Sequence, residues 1–348
     1  MIELTTTRHN PMIDPALHIW GWEIPVYLFL GGLVAGLMVL SGQHIIRAQT
    51  RKDLQDCHCV QAPLLSMALL SLGMLALFLD LEHQLHVWRL YLTFEIESPM
   101  SWGSWILILV YPALIAAALM GMPDAMPWLV RRFPAFERIS QAMRSRTVWV
   151  RGVGFANMAL GVLLGIYTGI LLSALPARPL WNSAILGPLF LFSGLSTGAA
   201  TIHMLSSLVR REENPVEFSD AVLTALVHWV TPERNPQKSA QALARVDNSF
   251  LTVELFLIVL YFIGMLSAGE AYQRAAALLL TGPYAAAFWV LVVGCGILVP
   301  LVLQFLQVQN RIRHTLAPAL MVLAGGFALR VILVYAGQAS HWTLLATR

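Results

Sequence analysis

The sequence predicts an all-α integral membrane protein that crosses the bilayer eight times, and three observations predict it. Hydrophobic residues make up 57% of the 348 positions and charged residues only 12%, with a mean hydropathy of +0.68. Soluble domains are usually about a quarter charged, so a water-soluble fold of this composition would lack the polar surface to cover itself. Second, the apolar residues gather into runs of roughly 20, the length that spans a bilayer as a helix. A transmembrane barrel would instead show short alternating segments. Third, Lys and Arg crowd alternate loops.

The runs are read in order as spans at about 24–46, 62–81, 103–121, 150–172, 184–209, 250–268, 285–307 and 315–337. The first follows the aromatic stretch HIWGWEIPVY and stops at the polar QHIIR. The second, APLLSMALLSLGMLALFLD, ends in Asp80, and the third begins from SPMSWGSW. Between those two lies LDLEHQLHVWRLYLTFEIE, which collects Asp80, Glu82, His83, His86, Arg89, Glu95 and Glu97 in a sequence otherwise poor in charge, with the aromatics Trp88 and Tyr91 among them. The fourth span ends in GIYTG and the fifth opens after PLWNS. The sixth carries Glu254, the seventh is apolar apart from its end, and the eighth contains GGFALRVILVYAGQ with Arg330.

Loop charge sets the orientation. The loops after spans 1, 3, 5 and 7 hold fifteen Lys and Arg: Arg47, Arg51, Lys52, Arg131, Arg132, Arg138, Arg144, Arg146, Arg210, Arg211, Arg234, Lys238, Arg245, Arg311 and Arg313. The other side holds five, Arg8, Arg89, Arg178, Arg274 and Arg348. The first set is expected in the cytoplasm of an inner-membrane protein, with both termini outside. MIELTTTRHNPMIDPALHIWGWE lacks the basic-then-apolar order of a signal peptide, so the first span is read as an uncleaved anchor. The net charge of +3 points to no nucleic-acid partner; the partner the composition demands is the bilayer. Only Cys57, Cys59 and Cys295 are present and no CxxC pair exists, so no iron–sulfur cluster or metal site is expected within the protein. Two loops are long, 122–149 and 210–249; in the second, FSDAVLTALVHW fits either an amphipathic helix on the membrane surface or an ordinary docked loop helix.

A charge at a helix centre costs roughly 2.5–3.5 kcal/mol on insertion scales, so the few retained there ask for a reason. They are Glu254 in span 6, His203 in span 5 and Arg330 in span 8, with Ser196, Thr197 and Thr201 between them. Two readings stay open: a structural pair in which His203 and Glu254 satisfy each other, or a line of proton stations. A haem of the cytochrome b kind needs paired axial histidines inside the bundle. Of ten histidines only His203 lies deep, so no haem is expected. At the outer boundary His18, Trp22, Glu23, Tyr27, Asp80, Glu82, His83, Tyr167, Thr168 and Asn182 come from four segment ends. Taken singly, the Trp and Tyr residues suit interface anchors, and His83 with His86 suits a solvated turn better than a metal site without a clear third ligand. Taken together, Tyr, His and carboxylate groups at a bilayer edge match a quinone, which has an apolar ring, two carbonyl oxygens and two protons to exchange.

Six segments carry a family resemblance: FLGGLVAG (29–36), ESPMSWGSW (97–105), GIYTGILLS (165–173), PLWNS (179–183), LFLFSGLSTGAA (189–200) and GGFALRVILVYAGQ (325–338). They resemble, in family order, the signature segments of the polysulfide-reductase membrane subunits, also called NrfD-like proteins. The resemblance implies two four-helix bundles and a haem-free subunit that exchanges electrons between menaquinone or ubiquinone and a multi-cluster, ferredoxin-like iron–sulfur subunit on the outer face. That subunit in turn serves a molybdopterin, hydrogenase or cytochrome catalytic subunit. It implies a quinone site lined by Tyr167, the tyrosine of YTG, with Asp80 closing span 2. His83, Thr168, His18, Glu23 and Asn182 join the expected quinone set, and His203, Glu254, Asp247 and Arg330 the expected proton relay. The competing readings are a secondary transporter or ion channel using the line of Glu254, His203 and Arg330, and a passive anchor for a redox complex.

Overall fold

A computed structural model describes residues 20–47, 61–81, 83–209, 236–309, 311 and 315–342, with backbone alone at 127–128, 206–209 and 236–242. His18, Glu82 and the FSDAVLTALVHW segment lie outside the described residues. Helices α1 (Glu23–Arg47) and α2 (Ala62–Asp80) are followed by a 3-10 turn, Gln84–His86, and the short α3 (Trp88–Leu92). Then come α4 (Pro99–Ala125), α5 (Pro127–Arg132), α6 (Ala135–Arg144), α7 (Thr147–Ser173) and α8 (Leu186–Val209). The fold continues through α9 (Pro236–Ser267), α10 (Glu270–Leu280), α11 (Ala285–Val308) and α12 (Ala317–Gln338).

Among the described residues eight helices are long and apolar enough to cross a membrane: α1, α2, α4, α7, α8, α9, α11 and α12. The sixth starts at Pro236, well before the expected 250, because QKSAQALAR is made of good helix formers that extend the apolar run without a break. The loop expected at 122–149 folds as α5 and α6. Ser140 and Arg144 of α6 donate to the Met120 carbonyl at 2.7 and 2.8 Å, and Arg144 pairs with the buried Asp124 at 2.5 Å. These bonds staple α6 to the last turns of α4. An eleven-residue π-helical stretch, Phe288–Leu298, runs inside α11.

α1 is the most enclosed span and packs on α2, α7, α8 and α12. α4 packs on α2 and α7, while α8 packs on α9 and α12 and α11 fills in against α9 and α12. The seam between α1 and α8 depends on two glycine pairs four residues apart. A Cβ on Gly36 or Gly194 would strike the backbone of the facing helix, and one on Gly198 would meet Gly36. Small residues at this spacing let membrane helices approach to backbone contact.

Trp20 and Trp342 lie at the same end of the molecule, as an even number of crossings requires. Trp20 exchanges two backbone hydrogen bonds with the Gln338 amide and stacks on Trp181 at 5.1 Å. The Trp181 indole donates to the Leu333 carbonyl at 2.8 Å and rests on Gly337, where a Cβ would collide with it. The fully buried Arg178 donates to the Ser340 carbonyl at 2.8 Å and meets His341 Nδ1 at 2.9 Å. The segment around PLW therefore binds the terminal end of the molecule together.

Candidate functional site

Helix α3 and the SPMSWGSW turn form a cap over the terminal ends of α2 and α4. Three polar side chains of the turn hold the backbone that precedes it. Ser101 accepts from the Glu95 amide at 2.9 Å and donates to the Thr93 carbonyl at 3.1 Å. Ser104 donates to the Leu90 carbonyl at 2.8 Å, and the Trp102 indole to the Ile96 carbonyl at 2.8 Å. Gly103, between these anchors, lies against the hydroxyl edge of Tyr167, and any Cβ there would overlap the ring. The turn thus fixes α3 and leaves the space that Tyr167 occupies.

Four tyrosines converge beneath this cap. Tyr27 of α1 and Tyr167 of α7 are buried with their hydroxyls turned toward each other. Tyr91 of α3 is near enough to both to interact with them electrostatically, and Tyr111 of α4 lies beside Tyr91. Burial, with Tyr111 adding to it, pushes the Tyr91 phenol up, so it remains a protonated donor. Tyr91 lines a cavity of about 370 Å³ whose other walls are apolar apart from Ser71: Met74, Leu75, Leu77, Phe78 and Leu81 on the α2 side, Val87 and Leu90 on the cap. Across Leu81, Val87 and Leu90 lies a second, outer cavity of about 530 Å³, reached by His83, His86, Arg89 and Glu95. Glu23 and Asp80, both half-buried, sit close enough to feel each other's charge at the mouths of α1 and α2.

Of the residues expected at this site, Tyr167, Asp80, Glu23 and His83 lie around the cap. Thr168 is buried but spends its hydroxyl on the Gly165 carbonyl, at 2.7 Å, and its methyl on Gly31. Asn182 donates to the Tyr272 hydroxyl of α10 at 2.7 Å and so belongs to the other half of the molecule. Sequence reasoning missed Tyr111 and Ser71 as site residues and weighed Tyr27 and Tyr91 only as boundary aromatics.

The polar line is confined to α8, α9, α11 and α12. Arg330 is fully buried and donates to Ser193 Oγ and to the Gly326 and Phe190 carbonyls, with its guanidinium 5.0 Å from the centre of the Phe190 ring. Gly32 of α1 makes room for it, since a Cβ there would press on the guanidinium. Ser193 also bonds Glu254, which is in electrostatic reach of Arg330 and Asp247. Asp247 accepts from Ser196 and from the Gln304 amide, both at 2.6 Å. Glu254 thus finds its partners at Ser193 and Arg330 rather than at His203, which is buried further along α8. Ser193 and Gln304 were absent from the expected relay. A glutamine in an apolar run, as in PLVLQFLQV, was the available signal.

These features can be set beside known proteins. The family described as "Polysulphide reductase, NrfD" matches residues 9–341. The chain belongs to the NrfD family. Among NrfD-family relatives, "Protein NrfD" of Escherichia coli (strain K12) is 30% identical over 329 residues, covering 92% of this protein and 95% of that one. The C chain of polysulfide reductase from Wolinella succinogenes is 30% identical over 327 residues, with 92% and 94% covered. "Protein NrfD homolog" of Haemophilus influenzae is 26% identical over 334 residues, with 94% and 97% covered. In this NrfD-family protein the two most distinctive sequence segments, SPMSWGSW and YTG, meet at one contact, Gly103 against Tyr167.

Proposed function

We propose that this protein is the quinone-reactive membrane subunit of a respiratory oxidoreductase complex, exchanging electrons between membrane quinone and an iron–sulfur partner. The observation that carries the reading is the cluster of Tyr27, Tyr167 and Tyr91, the last of them lining an apolar cavity, with Asp80 and Glu23 near its cap end. A tyrosine hydroxyl at the wall of an apolar cavity is a donor that a ligand oxygen can accept from. The cavity lies at the lower end of the roughly 300–1,000 Å³ typical of small-molecule sites, which suits a flat ring headgroup. Menaquinone or ubiquinone, when bound, supplies the two-electron, two-proton chemistry. Tyr27, Tyr167 and Tyr91 offer hydroxyl donors to its carbonyl oxygens. Asp80 and Glu23 accept protons, and the α3 cap keeps bulk water from the tyrosines.

Membership of a family whose relatives include a polysulfide reductase subunit supports a complex with iron–sulfur and catalytic subunits. A multi-cluster ferredoxin-like partner on the terminal end, serving a molybdopterin, hydrogenase or cytochrome subunit, would take electrons by tunnelling. The loop-charge bias supports an inner-membrane setting with the terminal end outside. In the same reading, Asp247, Glu254 and Arg330, with His203 beyond them, carry protons through the second half. Asp247→Asn should then lower proton uptake per quinol in vesicles, and an unchanged ratio would remove the relay.

The test of the site is Asp80→Asn in the protein purified with its partners. Assembly should persist while quinol oxidation falls. Normal turnover would remove Asp80 from the chemistry, and a protein that purifies alone and without iron would favour the transporter reading.

A further inference from the structure

The apolar cavity has a second, lipid-side end that the headgroup chemistry does not use. Its α2 wall runs from Ser71 to Leu81, the residue just past the helix, eleven residues spanning about 15 Å. One end of this wall reaches the cap near Asp80. The other reaches Ser71 and Leu75, which are exposed on the outside of the helix group, where lipid lies. There the Ser71 hydroxyl meets the Tyr111 hydroxyl of α4 at 3.2 Å. Serine in a membrane helix has an easier option, a bond to its own backbone three or four residues back. Ser41, Ser173, Thr168, Thr197 and Thr201 all take it. Ser71 instead bridges two helices at a lipid-facing position, next to the cavity and one tyrosine away from Tyr91.

We propose that the cleft between α2 and α4 is the lipid-side entrance to the cavity, that it holds the isoprenoid tail of the quinone, and that the Ser71–Tyr111 bond is its latch. The inference rests on the quinone reading of the tyrosine site and adds where the tail lies. The chemistry of the wall fits it: Met74, Leu75, Leu77 and Phe78 present hydrocarbon along the whole length, which can hold a tail by van der Waals packing but offers nothing to a polar ligand. A single reversible hydrogen bond worth about 1 kcal/mol can open on the time scale of helix fluctuation.

The experiment uses full-length Ser71→Cys protein in lipid nanodiscs, treated with a bulky methanethiosulfonate reagent and compared with equally treated unsubstituted protein. Binding of two naphthoquinones, one with an isoprenoid tail and one without, is followed by quenching of tryptophan emission. Modification should weaken binding of the tailed quinone by about tenfold or more, leave the tail-free one within about twofold, and be reversed by reductant. Tyr111→Phe, which breaks the latch without adding bulk, should speed association of the tailed quinone alone. Unchanged binding of the tailed quinone after modification would overturn the entrance. Equal loss of both quinones would also overturn it, placing Ser71 in the headgroup site. If neither quinone binds even the untreated protein, the quinone reading itself fails, and the entrance with it.

Discussion

The two halves of this membrane protein differ in which polar groups they bury. In α8, α9, α11 and α12, Asp247, Glu254 and Arg330 are joined through Ser193, Ser196 and Gln304, although Arg330 Nε and Gln304 Oε1 keep no partner among the described residues. In the half built from α1 to α4 and α7, four tyrosines gather and one of them, Tyr91, lines an apolar cavity. Buried polar networks help to rigidify a core, whereas a tyrosine hydroxyl at the wall of an apolar cavity is placed to meet what enters the cavity. The difference separates a half held together by its charges from the half that, in the proposed reading, receives the quinone.

Substitutions should sort along the same line. The largest effect is expected from Arg330→Leu, which strands Glu254 in that network. Removing one member of a buried charge pair costs about 3–5 kcal/mol, to be read as a lowered Tm of the detergent-solubilised protein. Next comes Gly103→Ala, whose methyl group displaces the Tyr167 ring. Misplacement of a reacting geometry by about 1 Å costs on the order of 100-fold, so quinol oxidation should fall by that much while Tm changes little. Asp80→Asn should lower the same rate by about tenfold, less than the full contribution of a general base because Glu23 remains beside it. The smallest effect belongs to Trp102→Phe, which loses one cap hydrogen bond worth about 1 kcal/mol. It should show mainly as faster hydrogen exchange of the amides in residues 93–98. A Gly103→Ala protein with full activity, or an Arg330→Leu protein as stable as its parent, would erase the contrast between the halves.

The spans were legible because an apolar run of about 20 residues has only one use in a bilayer. Short amphipathic helices were not: α6 looks like a charged loop until Asp124 and the Met120 carbonyl are placed beside it. At the site, Tyr167 and Asp80 stood out through their motifs and their position at span ends. Tyr111 and Ser71 did not, since a lone tyrosine or serine in a membrane helix is indistinguishable in sequence from an anchor or a self-bonded side chain. Their meaning comes from meeting across α2 and α4, 40 positions apart and beyond the reach of any helical period. Asn182 and Thr168 show the reverse: each belongs to a signature segment, yet its hydrogen bond goes to Tyr272 or to its own helix. The polar line was visible as charge in apolar runs, but its pairing of Glu254 with Ser193 and Arg330 depended on how α8, α9 and α12 pack.

The most direct measurement is photo-crosslinking of the full-length protein in native membranes with an azido-quinone, followed by peptide mapping. Label on α2, the α3 cap and the Tyr27 and Tyr167 segments is the expected result, competed away by excess unmodified quinone. Competable label confined to α8, α9, α11 and α12 would contradict a quinone site in the first half.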